Sequence, residues 1–312
     1  MPITKQTAAV QGALMAAMAI WGLNLVAVKS LANWFEPLTM AAARMVVACV
    51  VLTAIVWFKR CRWAPVSGRQ IGALVMCGVL MVYLNQILFA QGITRSTATN
   101  AALIMALSPL VSSLIAAVAF GERLTGQRVF GVFLGFCGVA AVVFSHPAAK
   151  FSAGGLGDLL LVGGVVTFAA GGAIIQGLAR QMHPLVISWA IYMVGAVLLV
   201  AQLLVFDRHG IQGALVPDWQ PWALVVFSGV MATAVGNLIW NAAIGRIGIA
   251  RTAVFLYWVP VFGVGFAALF LGEQLTGWHL AGFVAVMGGT YFGTRRPAVA
   301  APVVPPKSME IT

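Results

Sequence analysis

Aromatic and carboxamide side chains recur at helical spacing inside segments of this chain that are otherwise apolar. Residues three or four positions apart share one face of a helix. The pattern comprises Trp21 and Asn24, then Tyr83 and Gln86, then Asn237, Trp240 and Asn241, with adjacent Tyr257 and Trp258 further on. Amides bind a polar head group and aromatic rings cover an apolar body, so the set favours binding of a small amphipathic molecule. The alternative for each residue is a hydrogen bond between helices or a place in an aromatic interfacial belt.

Two cations accompany these residues. Arg44 lies seven residues beyond Pro37, which is about 10 Å into its segment at about 1.5 Å per residue. Its guanidinium can bind the carboxylate of a substrate or the carbonyl groups at a helix end. Lys29 lies near the end of the first segment, where its long stem can carry the ammonium group to the interface. Both are candidate carboxylate ligands with a structural alternative.

Residue types that carry out covalent chemistry are scattered. His146, His183, His209 and His279 fall in separate loops or at helix ends without an acid pair. The four cysteines match no zinc site and no disulfide framework. We therefore predict no catalytic centre, no metal and no cofactor, and an intramembrane enzyme is the weaker alternative.

The composition defines the elements that must position these residues. Hydrophobic residues make up 62% of the 312 residues and charged residues 8%, whereas soluble domains carry about 25% charged residues. A membrane helix needs about 20 apolar residues to cross about 30 Å of hydrocarbon. The sequence therefore predicts an all-α polytopic membrane protein. Its ten expected spans are 12–30, 38–58, 70–91, 98–119, 127–145, 156–177, 184–205, 222–243, 250–270 and 278–294.

The net charge of +11 reports orientation rather than a nucleic-acid partner. If the N-terminus is cytoplasmic, 13 of the 18 Lys and Arg residues fall in cytoplasmic segments, four fall outside, and Arg44 lies within a span. Cytoplasmic loops carry such an excess. We expect a multi-pass protein of a bacterial-type inner membrane with both termini in the cytoplasm. Residues 297–312 are expected to form a disordered cytoplasmic tail.

The chain contains two copies of one pattern. The turn "GERLTG", which begins at Gly121, recurs 151 residues later as "GEQLTG", and Pro109 recurs as Pro260. The first two spans align at an offset of 147, where Pro37 corresponds to Pro184. The halves are then 1–148 and 149–296, with five spans each, so the second half is inverted. Inverted repeats are typical of secondary transporters that work by alternating access.

The two prolines lie inside the expected fourth and ninth spans. Each removes a backbone hydrogen bond and kinks its helix. A fixed kink is one interpretation, and a gating hinge is the other.

The acidic residues constrain the substrate. All seven fall in loops, tails or helix ends: Glu36, Glu122, Asp158, Asp207, Asp218, Glu273 and Glu310. A proton-coupled pump for cationic drugs usually needs a buried carboxylate. The distribution favours a neutral, zwitterionic or anionic substrate and leaves proton coupling open.

Two stretches carry a family resemblance. The segment "AIWGLNLVAVKSLANWFEPLTMAAARMVVA", with Trp21-Gly22, Asn24, Lys29, Pro37 and Arg44, resembles the first two helices of the EamA-type branch of the drug/metabolite transporter superfamily. The segment "SPLVSSLIAAVAFGERLTGQRVFGVFLGFCGV" and its second copy resemble the fourth and fifth helices of that family. The resemblance covers residues 12 to about 294 and implies a ten-helix exporter of small metabolites, including aromatic and other neutral amino acids.

The second copy departs from this pattern, with Phe168-Ala169, Gly171 and Ile191 in place of Trp21-Gly22, Asn24 and Arg44. The two halves therefore need not share functional roles. Another efflux or uptake carrier of the same fold, including a multidrug carrier, is the main alternative, and a channel is a further one. The expected partners are a small-molecule substrate and the lipid bilayer. A monomer is compatible with the sequence, which leaves the oligomeric state open.

Overall fold

The computed structural model describes residues 5–59, 66–96, 98–122, 124–144, 155–206, 218–271 and 277–294. The expected tail, Glu273 and the side chain of Lys29 lie outside the described parts. Within these ranges the regular structure is helical throughout. A helix satisfies its own backbone polar groups, as a segment surrounded by hydrocarbon must.

The helices follow the apolar segments of the sequence. They are α1 (Lys5–Leu31), α2 (Pro37–Phe58), α3 (Gly68–Ile93), α4 (Ala98–Met105 and Ser108–Phe120), α5 (Gly126–Phe144), α6 (Leu156–Leu178), α7 (Pro184–Phe206), α8 (Trp219–Ile247), α9 (Ile249–Val254 and Trp258–Leu271) and α10 (Gly277–Thr294). Seven helical segments among the described residues are long and apolar enough to cross a membrane: most of α1 and of α7, the whole of α2, α3, α6 and α8, and the stretch Ile249–Phe266, which runs from the first part of α9 into the second. The second part of α4 and most of α5 form shorter apolar helices.

Local sequence signals fix several helix ends. Pro37 begins α2 after an extended Glu36, because proline has no N–H to lose in a first turn. Ser67 and Gln70 form a reciprocal capping box at the start of α3. Gly121 ends α4 with a φ of 64°, a left-handed conformation that glycine adopts without steric cost. These signals place the turns and so set which helices are neighbours.

Two helices contain a stretch of π-helix. The stretches are Gly78–Leu84 in α3 and Ser228–Gly236 in α8. A shift of Gly78–Leu84 by 151 residues places it inside the second stretch. Such wide turns are rare and frequently lie at functional sites.

The chain also breaks α4 and α9 at corresponding places. The first break is at residues 106–107, and the second is a 3₁₀ turn, Phe255–Tyr257. Pro109 and Pro260 both lie in the first turn after the break, where a missing N–H is tolerated. The structure thus shows interrupted helices at both prolines, and the hinge role remains a prediction.

Glycines allow two pairs of helices to approach closely. A methyl group on Gly78 of α3 would lie 2.8 Å from Cβ of Val194 in α7, and one on Gly229 of α8 would lie 2.6 Å from Cβ of Val47 in α2. Gly78 and Gly229 are 151 residues apart, and their partners are 147 apart. The contact of α3 with α7 is therefore repeated by the contact of α8 with α2.

The contact between α5 and α10, hereafter the seam between them, is also close at glycines and also repeated in the two halves. A methyl group on Gly131 would lie 2.8 Å from the carbonyl oxygen of Gly289, and one on Gly138 would lie 2.8 Å from that of Gly282. The two helices run antiparallel here. A shift of 151 residues turns Gly131 into Gly282 and Gly138 into Gly289, so exchanging the halves maps each contact onto the other.

Candidate functional site

Three aromatic rings meet in the interior where α1, α6 and α8 pack together. The ring centroids of Trp21 and Trp240 are 5.5 Å apart, and those of Phe168 and Trp240 are 5.6 Å apart. Trp21 Nε1 donates to the carbonyl of Ala232 at 2.9 Å. The side chain of Trp240 is fully buried, and its Nε1 has no acceptor in the described part of the chain. A buried aromatic surface thus carries one unused hydrogen-bond donor.

A polar edge adjoins these rings. Ser228 Oγ donates to Oδ1 of Asn24 at 2.5 Å, and Thr233 Oγ1 donates to the carbonyl of Ser228 at 3.0 Å. Arg44 Nη2 reaches Thr233 Oγ1 at 3.5 Å, and the buried Nε of Arg44 has no partner among the described residues. The central cluster is hereafter the set of Trp21, Asn24, Arg44, Phe168, Ser228, Thr233 and Trp240. It combines a cation with spare donors and an aromatic wall.

The two asparagines of α8 are committed to different partners. Asn237 Nδ2 donates to the carbonyls of Ala232 and Thr233 in its own helix, at 3.2 and 3.0 Å. These carbonyls belong to the π-helical stretch. Asn241 is fully buried, and its Nδ2 donates to Ser188 Oγ in α7 at 2.9 Å. Asn241 Oδ1 has no donor in the described part of the chain.

The predicted pair of Tyr83 and Gln86 is divided. Tyr83 is half-buried against the main hydrophobic core. Gln86 lines a separate cavity of about 280 Å³ between α2, α3 and α7. The structure therefore does not bring Gln86 together with Asn237.

Tyr257 and Trp258 make their side-chain hydrogen bonds towards α5 and α10. Tyr257 is buried against α5, with its ring over Gly135 and its hydroxyl donating to the carbonyl of Val132 at 2.8 Å. Trp258 Nε1 donates to Thr290 Oγ1 of α10 at 2.8 Å. Both residues connect α9 to the seam between α5 and α10.

The carboxylates that the structure describes lie outside the central cluster. Glu36 and Asp218 are exposed. Glu122 accepts from Arg128 at 3.1 Å and from Gln176 of α6 at 3.3 Å. Asp158 accepts from the amide of Asn100 at 2.9 Å. The cation of the cluster, Arg44, thus has no anionic partner among the described side chains.

Four residues at this site were absent from the sequence prediction. Phe168 corresponds to Trp21 at the offset of 147, so the repeat carried the signal for it. Ser188, Ser228 and Thr233 are small hydroxyl residues, which membrane helices use widely to bond to one another. No spacing distinguished these three from the other hydroxyl residues.

Comparison with known proteins identifies the family. The profile of the EamA-like transporter family matches residues 10–144 and again 155–295. The "probable amino-acid metabolite efflux pump" of Salmonella typhimurium is 28% identical over 284 residues, which cover 88% of this chain and 92% of that protein. The "probable terminal-alkyne amino-acid exporter" of Streptantibioticus cattleyicolor is 28% identical over 229 residues, covering 73% of this chain and 75% of that protein. Among the solved structures that are similar, one crystal structure has a TM-score of 0.77 and 18% identity, over 92% of this chain and 96% of that one. The chain is therefore a multi-pass membrane protein that belongs to the EamA-like transporter family.

Proposed function

We propose that this protein exports small amphipathic amino acids, aromatic or other neutral ones, by alternating access across a bacterial inner membrane. The names of two relatives, an amino-acid metabolite efflux pump and a terminal-alkyne amino-acid exporter, support the substrate class. The central cluster supports it independently, because its residues suit the two ends of such a molecule.

The observation that carries the proposal is the setting of Arg44. Its guanidinium is inside a helical membrane protein with one long hydrogen bond to Thr233 and an unpartnered Nε. A buried cation is costly unless an anion neutralises it. A substrate carboxylate bound there gains charge-assisted hydrogen bonds, while Trp21 and Trp240 offer ring faces to an apolar side chain. The lack of a carboxylate among the described residues of the cluster weighs against cationic drugs.

The proposed architecture is ten spans in two inverted halves, 1–148 and 149–296, with both termini cytoplasmic. Exchange of the halves maps the contact at Gly78 onto that at Gly229, and maps Gly131–Gly289 onto Gly282–Gly138. A two-fold axis in the membrane plane accounts for these pairings. Two halves related in this way can exchange conformations and so open the path to alternate sides.

Flux measurements in proteoliposomes test the proposal. We expect labelled phenylalanine to cross vesicles that contain the protein faster than protein-free vesicles. Loss of a charge-assisted hydrogen bond costs about 1.5–3 kcal/mol, so Arg44→Gln should weaken apparent affinity by about 10- to 100-fold. Arg44→Lys, which keeps a charge, should retain part of the affinity.

Arg180→Gln is the matched control, because Arg180 is exposed and its guanidinium lies 5.7 Å from the ring centroid of Phe120. Its flux should equal that of the unaltered protein. If phenylalanine and related neutral amino acids cross no faster than through empty vesicles, the proposal is wrong. Equal flux through Arg44→Gln and Arg180→Gln would remove Arg44 from the binding site.

A further inference from the structure

A cavity of about 280 Å³ lies between the start of α2 and the ends of α3 and α7. Its polar lining consists of Glu36, Gln86, Gln91, Thr94 and Gln202, set among alanine and leucine side chains. Gln202 Oε1 is buried without a donor in the described part of the chain. Sites for drug-sized ligands occupy about 300–1,000 Å³, so this cavity suits a smaller solute with a polar head.

The residues equivalent to the cavity lining in the other half of the repeat can be compared with it. Ala41 and Ala90 line the cavity. In the second half, Ala41 corresponds to Ser188 at the offset of 147, and Ala90 corresponds to Asn241 at the offset of 151. Those two side chains are fully buried and joined by a hydrogen bond of 2.9 Å. The location is therefore a cavity at one face and a closed, hydrogen-bonded contact at the other.

This difference between the two faces is local. The contacts at Gly78 and Gly229 are nearly equal, with hypothetical methyl groups 2.8 and 2.6 Å from their valine neighbours. The helices thus keep corresponding neighbours in both halves, while this pair of equivalent places holds a cavity in one case and a hydrogen-bonded contact in the other. An exchange of the halves would separate Ser188 from Asn241 and bring Ala41 towards Ala90.

We propose that the cavity is a second solute site at the outer end of the path, one that binds the polar head of a small amino acid. Its inner counterpart, at Ser188 and Asn241, forms when their hydrogen bond breaks. Glu36 and Gln202 Oε1 supply acceptors for an ammonium group, and the amide nitrogen of Gln86 supplies a donor for a carboxylate. This site rests on the proposed function, because its ligand is the exported amino acid.

Thiol labelling tests the outer site. In right-side-out vesicles, Ala90→Cys should react with a membrane-impermeant maleimide, and external phenylalanine should slow the reaction. Val205→Cys is the matched control, because Val205 is 65% exposed at the same end of α7 as Gln202 and does not line the cavity; phenylalanine should leave its labelling rate unchanged. The protein with only its native cysteines gives the background. Gln202→Leu should raise the phenylalanine concentration needed for protection about tenfold or more.

The inner counterpart is tested in inside-out vesicles. Ala242 corresponds to Gln91 at the offset of 151, so Ala242→Cys reports opening at the inner face. Loss of a hydrogen bond worth about 1 kcal/mol shifts an equilibrium roughly fivefold. Adding Ser188→Ala should therefore speed labelling of Ala242→Cys by about that factor.

Phenylalanine flux in the same vesicles separates this proposal from the proposed function. Flux without protection of Ala90→Cys overturns the outer site and leaves the export function standing. Absence of both flux and protection overturns both. An unchanged labelling rate of Ala242→Cys after Ser188→Ala overturns the inner counterpart.

Discussion

Replacing Gly78 with alanine inserts a methyl group into the contact between α3 and α7. The added carbon would lie 2.8 Å from Cβ of Val194 and 2.9 Å from the carbonyl oxygen of Ile191, whereas optimal carbon contacts are about 3.5–4.0 Å. The carbonyl belongs to the backbone and cannot rotate away, so the helices must separate. Overpacking of this kind costs about 1–3 kcal/mol, which lowers the apparent Tm by roughly 2–6 °C in a chain of this size.

Thermal unfolding of the purified protein in detergent measures this effect, and two further variants complete the design. Gly72→Ala is the matched control on the same helix, because no neighbouring heavy atom lies within 4 Å of the added carbon. Gly229→Ala is the repeat-related variant, with the added carbon 2.6 Å from Cβ of Val47 and 3.0 Å from the carbonyl oxygen of Arg44.

We expect Gly78→Ala and Gly229→Ala to lose similar amounts of stability and Gly72→Ala to lose little or none. If Gly78→Ala unfolds at the temperature of Gly72→Ala, the inference of close helix approach is wrong. A loss at only one of the two repeat-related glycines would contradict the equivalence of the two contacts.

Three further sets of substitutions separate structural roles from solute binding. Glu122→Gln leaves the guanidinium of Arg128, which is 4% exposed, without its anion, and should cost about 1–3 kcal/mol in thermal stability; an unchanged unfolding temperature would contradict this. Tyr257→Phe removes a hydrogen bond to a carbonyl of α5 and should lower the free energy of unfolding by about 0.5–1.5 kcal/mol, with flux unchanged. Reduced flux at full stability would instead place Tyr257 in the pathway. Gln86→Leu should reduce phenylalanine flux, because Gln86 lines the cavity. Asn237→Leu should instead reduce thermal stability first, because the amide of Asn237 bonds to its own helix. Flux and stability are measured on both variants, and a loss of stability in Gln86→Leu with a loss of flux alone in Asn237→Leu would contradict both assignments.

Much of the architecture could be predicted because hydrocarbon restricts the backbone so severely. An apolar chain with this spacing of polar residues must form helices, and the doubled turn at Gly121 revealed the repeat. The contact of Trp21 with Trp240 was also accessible, because helical spacing placed both among residues that face the interior.

The placement of Tyr257 and Trp258 could not be predicted from the sequence. Adjacent residues of a helix point in directions about 100° apart, so spacing cannot decide which of them faces inward. The answer depended on α5, where the lack of a side chain at Gly135 makes room for the ring of Tyr257. That information is held in a distant part of the chain.

The role of Asn237 was hidden for a different reason. Its amide binds carbonyls of the π-helical stretch that ends at Gly236. In a π-helical turn, backbone hydrogen bonds join residues five apart instead of four, and no residue type in α8 predicts this change. The prediction that Gln86 and Asn237 belong to one binding set assumed regular helices at both positions.

Alternating access is tested most directly by two distances measured in the reconstituted protein with spin labels. Asn33 lies three residues before Glu36 and Arg95 directly follows Thr94, and both Glu36 and Thr94 line the cavity. A pair of labels at Asn33 and Arg95 therefore reports on this end of the protein, and offsets of 147 and 151 give the corresponding pair, Arg180 and Arg246. All four positions are exposed. Exchange of the halves predicts that, when phenylalanine shifts the populations, one distance shortens while the other lengthens. Changes in the same direction at both faces, or fixed distances at both during measurable flux, would contradict it.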